Sequence, residues 1–130
     1  MTRPCLKDYM KVIIAGSRDF DDYYFLAKEL DMYPIKITEV VCGEAKGADL
    51  LGKQWAHRHD VNVSSFPADW TKHGKSAGPK RNMQMGDYAD RLIAFWDGES
   101  KGTKQMIDYM IRLEKPVHIV YIQTVNTKKW

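Results

Sequence analysis

The chain has 130 residues, 44% of them apolar, which fits one domain with its own core and excludes a disordered protein. Its 20 basic and 17 acidic side chains leave a formal net charge of +3, too small by itself to indicate a nucleic-acid-binding protein. The spacing of the two cysteines indicates neither a zinc site nor a disulfide framework. Because every apolar run is far shorter than a membrane span and no secretory signal is visible, we expect a cytoplasmic protein that does not enter membranes.

Five short apolar runs predict β-strands, and the stretches between them have helical spacing. The strands are predicted at 11–15, 37–42, 61–66, 91–96 and 117–122, and the helices at positions up to 32, 48–59, 79–87 and 102–113. Asp19 or Asp21 could cap the first helix, which Pro34 would stop, and Pro79 suits the first turn of the third. The stretch 67–78 is predicted to be a long irregular loop, and such loops are usually functional or mobile.

This alternation predicts an α/β fold. We expect residues 1–130 to form a single Rossmann-like domain with a core at about 11–122. Its five strands would form one parallel sheet between two layers of helices, giving three layers in all. The strand order cannot be read from one sequence. We predict 3-2-1-4-5, because this order leaves a crevice between the first and fourth strands, where connections depart to opposite faces.

Four glycine-bearing loops lie after the predicted strands, at 16–19, 43–49, 72–82 and 97–103. Loops that follow parallel strands collect at the carboxyl edge of the sheet, where ligands bind. Glycine lets the backbone approach a ligand closely, and the N-terminus of the following helix offers unpaired N–H groups to an anion. The repeated arrangement therefore predicts a site for a phosphate-bearing small molecule.

The candidate ligand-binding residues come from these loops. Arg18 would pair with a phosphate, and Arg81 with the asparagine that follows it would close the site. Glu44 or Asp49 would accept a hydrogen bond from a ribose hydroxyl, although Asp49 could instead cap the second helix. Trp70 could stack on a base or cover the core. The full set is Gly16, Ser17, Arg18, Gly43, Glu44, Lys46, Gly47, Asp49, Trp70, Arg81, Asn82, Asp97, Gly98, Ser100, Gly102 and Thr103.

Five segments, in this order and at this spacing, resemble the YspA-like branch of the SLOG superfamily. They are 12–20, 43–49, 66–70, 78–83 and 97–103. The resemblance implies a Rossmann-like fold that binds nucleotides or nucleotide-derived ligands in the crevice between the loops, and it also implies a homo-oligomer. The superfamily includes the LOG enzymes, which cleave the N-glycosidic bond of nucleoside monophosphates, and DprA, which binds single-stranded DNA.

One departure from the LOG pattern affects the chemistry. The catalytic glutamate of the LOG motif falls on Met106 in this chain. A thioether cannot act as a general base or stabilise an oxocarbenium ion as a carboxylate does. If the protein is an enzyme, its carboxylate must come from elsewhere, and the candidate catalytic residues are Glu44 and Glu99, with Asp97 as a further possibility.

Three hypotheses follow. The first is binding of a nucleotide-derived ligand (NAD-like, ADP-ribose-like or a nucleoside monophosphate) by a sensor, a sink or a small enzyme. The second is a LOG-like N-glycosidase. The third is a DprA-like binder of single-stranded DNA, against which the modest net charge counts. No cluster of metal ligands is visible and no cofactor is required, although Mg²⁺ could accompany a diphosphate.

Overall fold

The computed structural model describes residues 9–123, in which five strands alternate with helices. The elements are β1 (Lys11–Gly16), α1 (Tyr23–Asp31), β2 (Glu39–Cys42), α2 (Ala48–Arg58), β3 (Asn62–Ser65), α3 (Trp70–His73), a 3-10 turn (Gly74–Ser76), α4 (Ala77–Tyr88), β4 (Arg91–Trp96), α5 (Lys101–Arg112) and β5 (Val117–Tyr121). The boundaries of the predicted strands and of the four main helices agree with these to within two residues. Within this part of the chain, no helix combines the length and the apolar composition needed to cross a bilayer.

The five strands form one parallel sheet in the order β3-β2-β1-β4-β5, which confirms the predicted order. The first strand is central: Val12 pairs with Val40 of β2 on one side and with Arg91 of β4 on the other. The chain leaving β1 enters α1, and the chain leaving β4 enters α5. The carboxyl ends of these two neighbouring strands therefore border the crevice in which α/β sheets bind ligands.

Two apolar cores cover the two faces of the sheet, because successive side chains of a strand point to opposite faces. Val12 and Ile14 face one core, which they share with residues of α1 and α2 such as Leu26. Ile13 faces the other core, with residues of α4 and α5 such as Met106. The helices α1 and α2 thus lie on one face and α4 and α5 on the other, which gives the predicted three layers.

The cap of the first helix differs from the prediction. The side chain that caps α1 is Asp22, whose carboxylate accepts a hydrogen bond from the N–H of Phe25 at 3.1 Å. Asp19 and Asp21, the two predicted caps, lie further back along the chain. The N-cap is the residue directly before the first helical residue, and its side chain accepts the N–H of the second or third helical residue. Because α1 starts at Tyr23, this position belongs to Asp22.

The stretch 67–78 is more ordered than predicted. Asp69 caps α3 by accepting the N–H of Lys72 at 3.0 Å, and the 3-10 turn leads directly into α4. Helix α4 starts at Ala77, two residues before the predicted start at Pro79. A proline at the third helical position is tolerated because the first N–H groups of a helix have no partner within it. The prediction of an irregular loop at 67–78 was wrong, because the lysine- and glycine-rich composition gives no sequence signal for these short helical turns.

Candidate functional site

The first and fourth loops are joined through Ser17. This residue follows β1, and it is 2% exposed. Its N–H donates to the carbonyl of Phe95 at 3.0 Å, and its hydroxyl accepts from the N–H of Asp97 at 3.2 Å. The two loops therefore form one unit at the ends of β1 and β4. Since the Ser17 hydroxyl already has a partner inside the protein, its contact with a ligand phosphate stays a prediction.

Asp97 shapes the turn that leads into α5. One carboxylate oxygen accepts from the N–H groups of Glu99 and Ser100, both at 2.8 Å. Burial opposes ionisation of this carboxyl group, but these N–H donors and the side chain of Ser17 outweigh it and hold the pKa of Asp97 below its ordinary value. Asp97 is therefore an ionised anchor of the fourth loop.

The N-terminus of α5 is open to a ligand. Ser100 occupies the cap position, but its side chain accepts none of the backbone N–H groups of the first turn; its hydroxyl instead shares a hydrogen bond of 3.2 Å with that of Thr103. Gly98 has a φ of +85°, and a Cβ added at Gly98 or Gly102 would meet no atom within 4 Å. The first N–H groups of a twelve-residue helix thus lie beside free space, which is the arrangement that binds anions.

The second loop packs against the first at Gly47. This residue has a φ of +82°, and a Cβ added to it would lie 2.2 Å from the carbonyl oxygen of Ser17 and 2.8 Å from the Cα of Arg18. Both the backbone angle and the lack of space require glycine here. The predicted residues Gly16, Ser17, Arg18 and Gly47 therefore do lie together at the carboxyl edge.

Two helices on opposite faces of the sheet hold Gly43. Its N–H donates to Oδ2 of Asp49 in α2 at 3.0 Å, and its carbonyl accepts from Nη1 of Arg81 in α4 at 2.5 Å. A Cβ at Gly43 would lie 2.3 Å from that same Nη1. The arginine side chain can therefore lie on the loop only because residue 43 is glycine.

Asp49 is buried inside this arrangement, with 5% of its surface exposed. Burial raises the pKa of its carboxyl group to about 6, against the lowering effect of the Gly43 N–H and of the Arg81 guanidinium. The alternative that Asp49 caps α2 is wrong: Gly47 holds the cap position, and the carboxylate of Asp49 binds the second loop.

Asn82 connects the arginine to α5. Nε of Arg81 donates to Oδ1 of Asn82 at 3.1 Å. The amide nitrogen of Asn82 donates to Oε1 of Gln105 at 2.6 Å and lies 3.4 Å from the carbonyl oxygen of Gly102. Gln105 is not among the residues predicted from the sequence. Its spacing of three residues from Gly102 on a helix, which puts the two on one face, is the signal that could have identified it.

Glu44 is fixed on the β2–β3 side of the edge. Its carboxylate accepts from Nζ of Lys53 at 2.8 Å and from the hydroxyl of Ser65 at 2.5 Å. The bond from Lys53 is the main reason that the pKa of Glu44 lies below its ordinary value. The sequence pointed to neither partner, because both lie far from Glu44 along the chain. Glu44 is thus a paired, ionised carboxylate.

Some predicted residues remain outside these contacts. Within residues 9–123, no hydrogen bond or ion pair fixes the side chains of Arg18, Lys46 and Glu99, which are exposed. Trp70 is 59% exposed, with its ring edge beside Gly78. In the same part of the chain, no three His, Cys, Asp or Glu side chains are grouped so that they could hold a metal ion.

Comparison with known proteins identifies the family. Residues 10–73, which include the first two loops, match the family described as YspA, cpYpsA-related SLOG. The Gene 61 protein of Mycobacterium phage D29 is 39% identical over 104 residues, which is 72% of this chain and 82% of the phage protein. The chain belongs to the YspA/cpYpsA-related SLOG family. No solved structure matches this SLOG protein.

Proposed function

We propose that this SLOG protein binds a nucleotide or nucleotide-derived ligand at the carboxyl edge of the sheet. The observation that carries the proposal is the N-terminus of α5, which has no side-chain cap and which Asn82 connects to Arg81. Two hydrogen bonds hold Arg81 in place. Helix N-termini and arginine side chains both favour phosphate. Family membership supports the nucleotide part of the proposal, since SLOG proteins are associated with nucleotide-related binding or processing.

The geometry suggests how such a ligand would lie. A phosphate would contact the turn from Gly98 to Thr103 and the guanidinium groups of Arg18 and Arg81. The ribose and base would extend toward the second loop and Trp70. The ligand class is an NAD-like or ADP-ribose-like compound or a nucleoside monophosphate, and Mg²⁺ would accompany a diphosphate. The protein would act as a sensor or sink, within a homo-oligomer.

Binding without N-glycosidase turnover is the activity that the side chains support best. Met106, at the position of the LOG glutamate, is 1% exposed and lies in the core, so it leaves no room for a carboxylate in contact with a ligand. The carboxylate of Glu44 is already paired with Lys53 in a salt bridge. Glu99 is exposed and could still reach a ligand. Turnover would therefore depend on Glu99, or on Glu44 after it releases Lys53.

Mass spectrometry of bound and free small molecules would test the proposal. The pure protein would be incubated with nucleoside monophosphates, NAD, ADP-ribose and cyclic nucleotides. We expect one intact compound to be retained by the protein and lost in Arg81→Ala. Arg112→Ala is the matched control: it also removes an arginine, but at the far end of α5, and it should retain the compound.

The same samples separate the alternatives. A product that accumulates beyond one equivalent would establish an enzyme, and unchanged rates in Glu44→Gln and Glu99→Gln would remove those carboxylates from its mechanism. If no compound is retained or converted, the proposal fails. Salt-sensitive binding of a single-stranded oligonucleotide would then favour the DNA-binding alternative.

A further inference from the structure

The hydrogen bonds around Arg81 have a fixed direction. A guanidinium group has five N–H donors and no acceptor. Because Nε of Arg81 donates to the side chain of Asn82 at 3.1 Å, Asn82 must turn its amide oxygen toward Arg81. The amide nitrogen of Asn82 then faces Oε1 of Gln105, 2.6 Å away, to which it donates. The chain of donors therefore runs from Arg81 through Asn82 to Gln105.

We propose that Gln105 is a positioning residue for the ligand-binding site. By accepting from Asn82 at 2.6 Å, it stabilises the orientation in which the amide oxygen faces Arg81, and through it the orientation of the Arg81 guanidinium; the carbonyl of Gly102, 3.4 Å from the same nitrogen, is a longer second acceptor. Two of the five N–H groups of Arg81 donate to Asn82 and to Gly43, so three have no acceptor within residues 9–123 and could bind a phosphate. This inference rests on the proposed function for the identity of the anion, but not for the effect of Gln105 on Arg81.

The orientation of the Asn82 amide matters because this side chain is buried. Asn82 is 7% exposed, so water cannot replace a lost partner at little cost. If the Asn82 amide turned over, its NH₂ group would face the Nε–H of Arg81, donor against donor. An acceptor at position 105 opposes this turn, and a donor at position 105 favours it. The chemistry of residue 105, and not only its size, should therefore control Arg81.

Three substitutions at position 105 separate these effects. Gln105→Glu keeps an acceptor of the same length, Gln105→Leu removes it, and Gln105→Lys supplies a donor. Tyr109→Phe is the matched control, because it removes another hydrogen bond between α4 and α5, from the Tyr109 hydroxyl to Asp87 at 2.6 Å. That bond involves none of the residues that hold Arg81. If Gln105 had only a structural role, its three variants and Tyr109→Phe would have similar effects on Arg81.

The first readout needs no ligand. The Nε–H resonance of Arg81 would be assigned in ¹⁵N NMR spectra by its loss in Arg81→Lys, and its exchange with water would be measured. We expect exchange to be about tenfold faster in Gln105→Leu and Gln105→Lys, and to stay near the wild-type rate in Gln105→Glu and Tyr109→Phe. An Arg81 signal unchanged in both the Leu and the Lys variants, each shown to be folded by its backbone spectrum, would overturn the inference.

The second readout is the affinity for ADP-ribose and AMP, measured by calorimetry. We expect Gln105→Leu to bind about tenfold more weakly than the wild type and Gln105→Glu to bind more tightly than Gln105→Leu, although its added charge repels the phosphate. Equal affinities in the wild type and Gln105→Leu, despite a changed Arg81 signal, would overturn the link to binding. If the wild type binds neither probe, the proposed function fails for these ligands, whereas the Arg81 signal still decides the effect of Gln105.

Discussion

Replacing Asp49 with asparagine should remove part of the pH dependence of the protein's stability. The carboxyl group of Asp49 is almost fully buried, and burial raises its pKa from the ordinary value of 3.8 to about 6. The attraction of Arg81 and the bond from the Gly43 N–H lower this pKa, so the value already includes them. Asparagine keeps an oxygen that can accept from Gly43 but carries no charge to bury.

The direction of this pH dependence follows from the protons that each state binds. Between pH 3.8 and about 6 the folded state holds a proton on Asp49 that the unfolded chain has released, so the free energy of unfolding falls as the pH rises. The contribution of this carboxyl group is fully present below its unfolded pKa and is lost as the pH passes through the folded value. At about 1.4 kcal/mol per pKa unit, the loss is about 3 kcal/mol.

Urea unfolding of the wild type and of Asp49→Asn, followed by tryptophan fluorescence over a pH series, measures this difference. The free energy of unfolding of the variant, relative to that of the wild type, should rise by about 3 kcal/mol from about pH 3 to about pH 8. Taking the difference between the two proteins cancels the other ionisable groups. A difference that is constant with pH, or one that falls as the pH rises, would refute the argument.

Glu39→Gln is a control of opposite sign, at the amino edge of the sheet. Burial raises the pKa of Glu39, but the hydroxyls of Ser64, Tyr88 and Tyr9 outweigh it and keep the pKa below its ordinary value. Its charge therefore stabilises the fold above its unfolded pKa, and this stabilisation is lost as the pH falls through the folded value. Glu39→Gln should be less stable than the wild type at neutral pH, and the difference should shrink toward acid pH.

Three further substitutions test the loops and the fold. Gly47→Ala would place a Cβ 2.2 Å from the carbonyl of Ser17, so urea unfolding should show a loss of about 2–4 kcal/mol; a neutral effect would contradict the packing of the first two loops. The methyl group of Gly102→Ala would meet no atom within 4 Å, so the free energy of unfolding should rise by up to about 1 kcal/mol. Retention of ADP-ribose should weaken, because the methyl group fills the space in front of α5. Full retention would place the ligand elsewhere. Lys115→Met removes hydrogen bonds to three carbonyl groups at the end of α4, so the free energy of unfolding should fall by about 2 kcal/mol. Retention of ADP-ribose should not change. A change in retention would contradict the conclusion that Lys115 is remote from the site.

The fold could be predicted from the sequence because its signals are local. The four apolar residues from Val12 to Ala15, and the similar run in β4, predict buried parallel strands wherever they occur. No single segment of the sequence determines the strand order, and its prediction rests on the general behaviour of α/β sheets. The stretch 67–78 was misjudged because its helical turns are short and polar, and they are set by one capping contact at Asp69.

The site could be predicted only as a set of loops. Parallel topology brings the carboxyl ends of the strands together, so the sequence could place Ser17, Gly43 and Asp97 near the same edge. It could not show that Ser17 binds Asp97, 80 residues away, or that Arg81 binds Gly43, 38 residues away. The first contact depends on the register of β1 and β4, and the second on the packing of α4 against the sheet. A single sequence carries no readable pattern for either.

The internal contacts of the site also limit what it can bind. Glu44 is paired with Lys53, Asp49 binds Gly43, and Asp97 binds the N–H groups of its own turn, so these acceptors within residues 9–123 already have donors. Within residues 9–123, the groups that remain at the edge are mainly donors: the first N–H groups of α5, three N–H groups of Arg81 and the side chain of Arg18. The exposed carboxylate of Glu99 is an acceptor beside them. A site of donors selects a ligand group that has only acceptors, as a phosphate does. The protein would thus recognise its ligand first by phosphate, and the nucleoside part would decide among phosphate-bearing compounds.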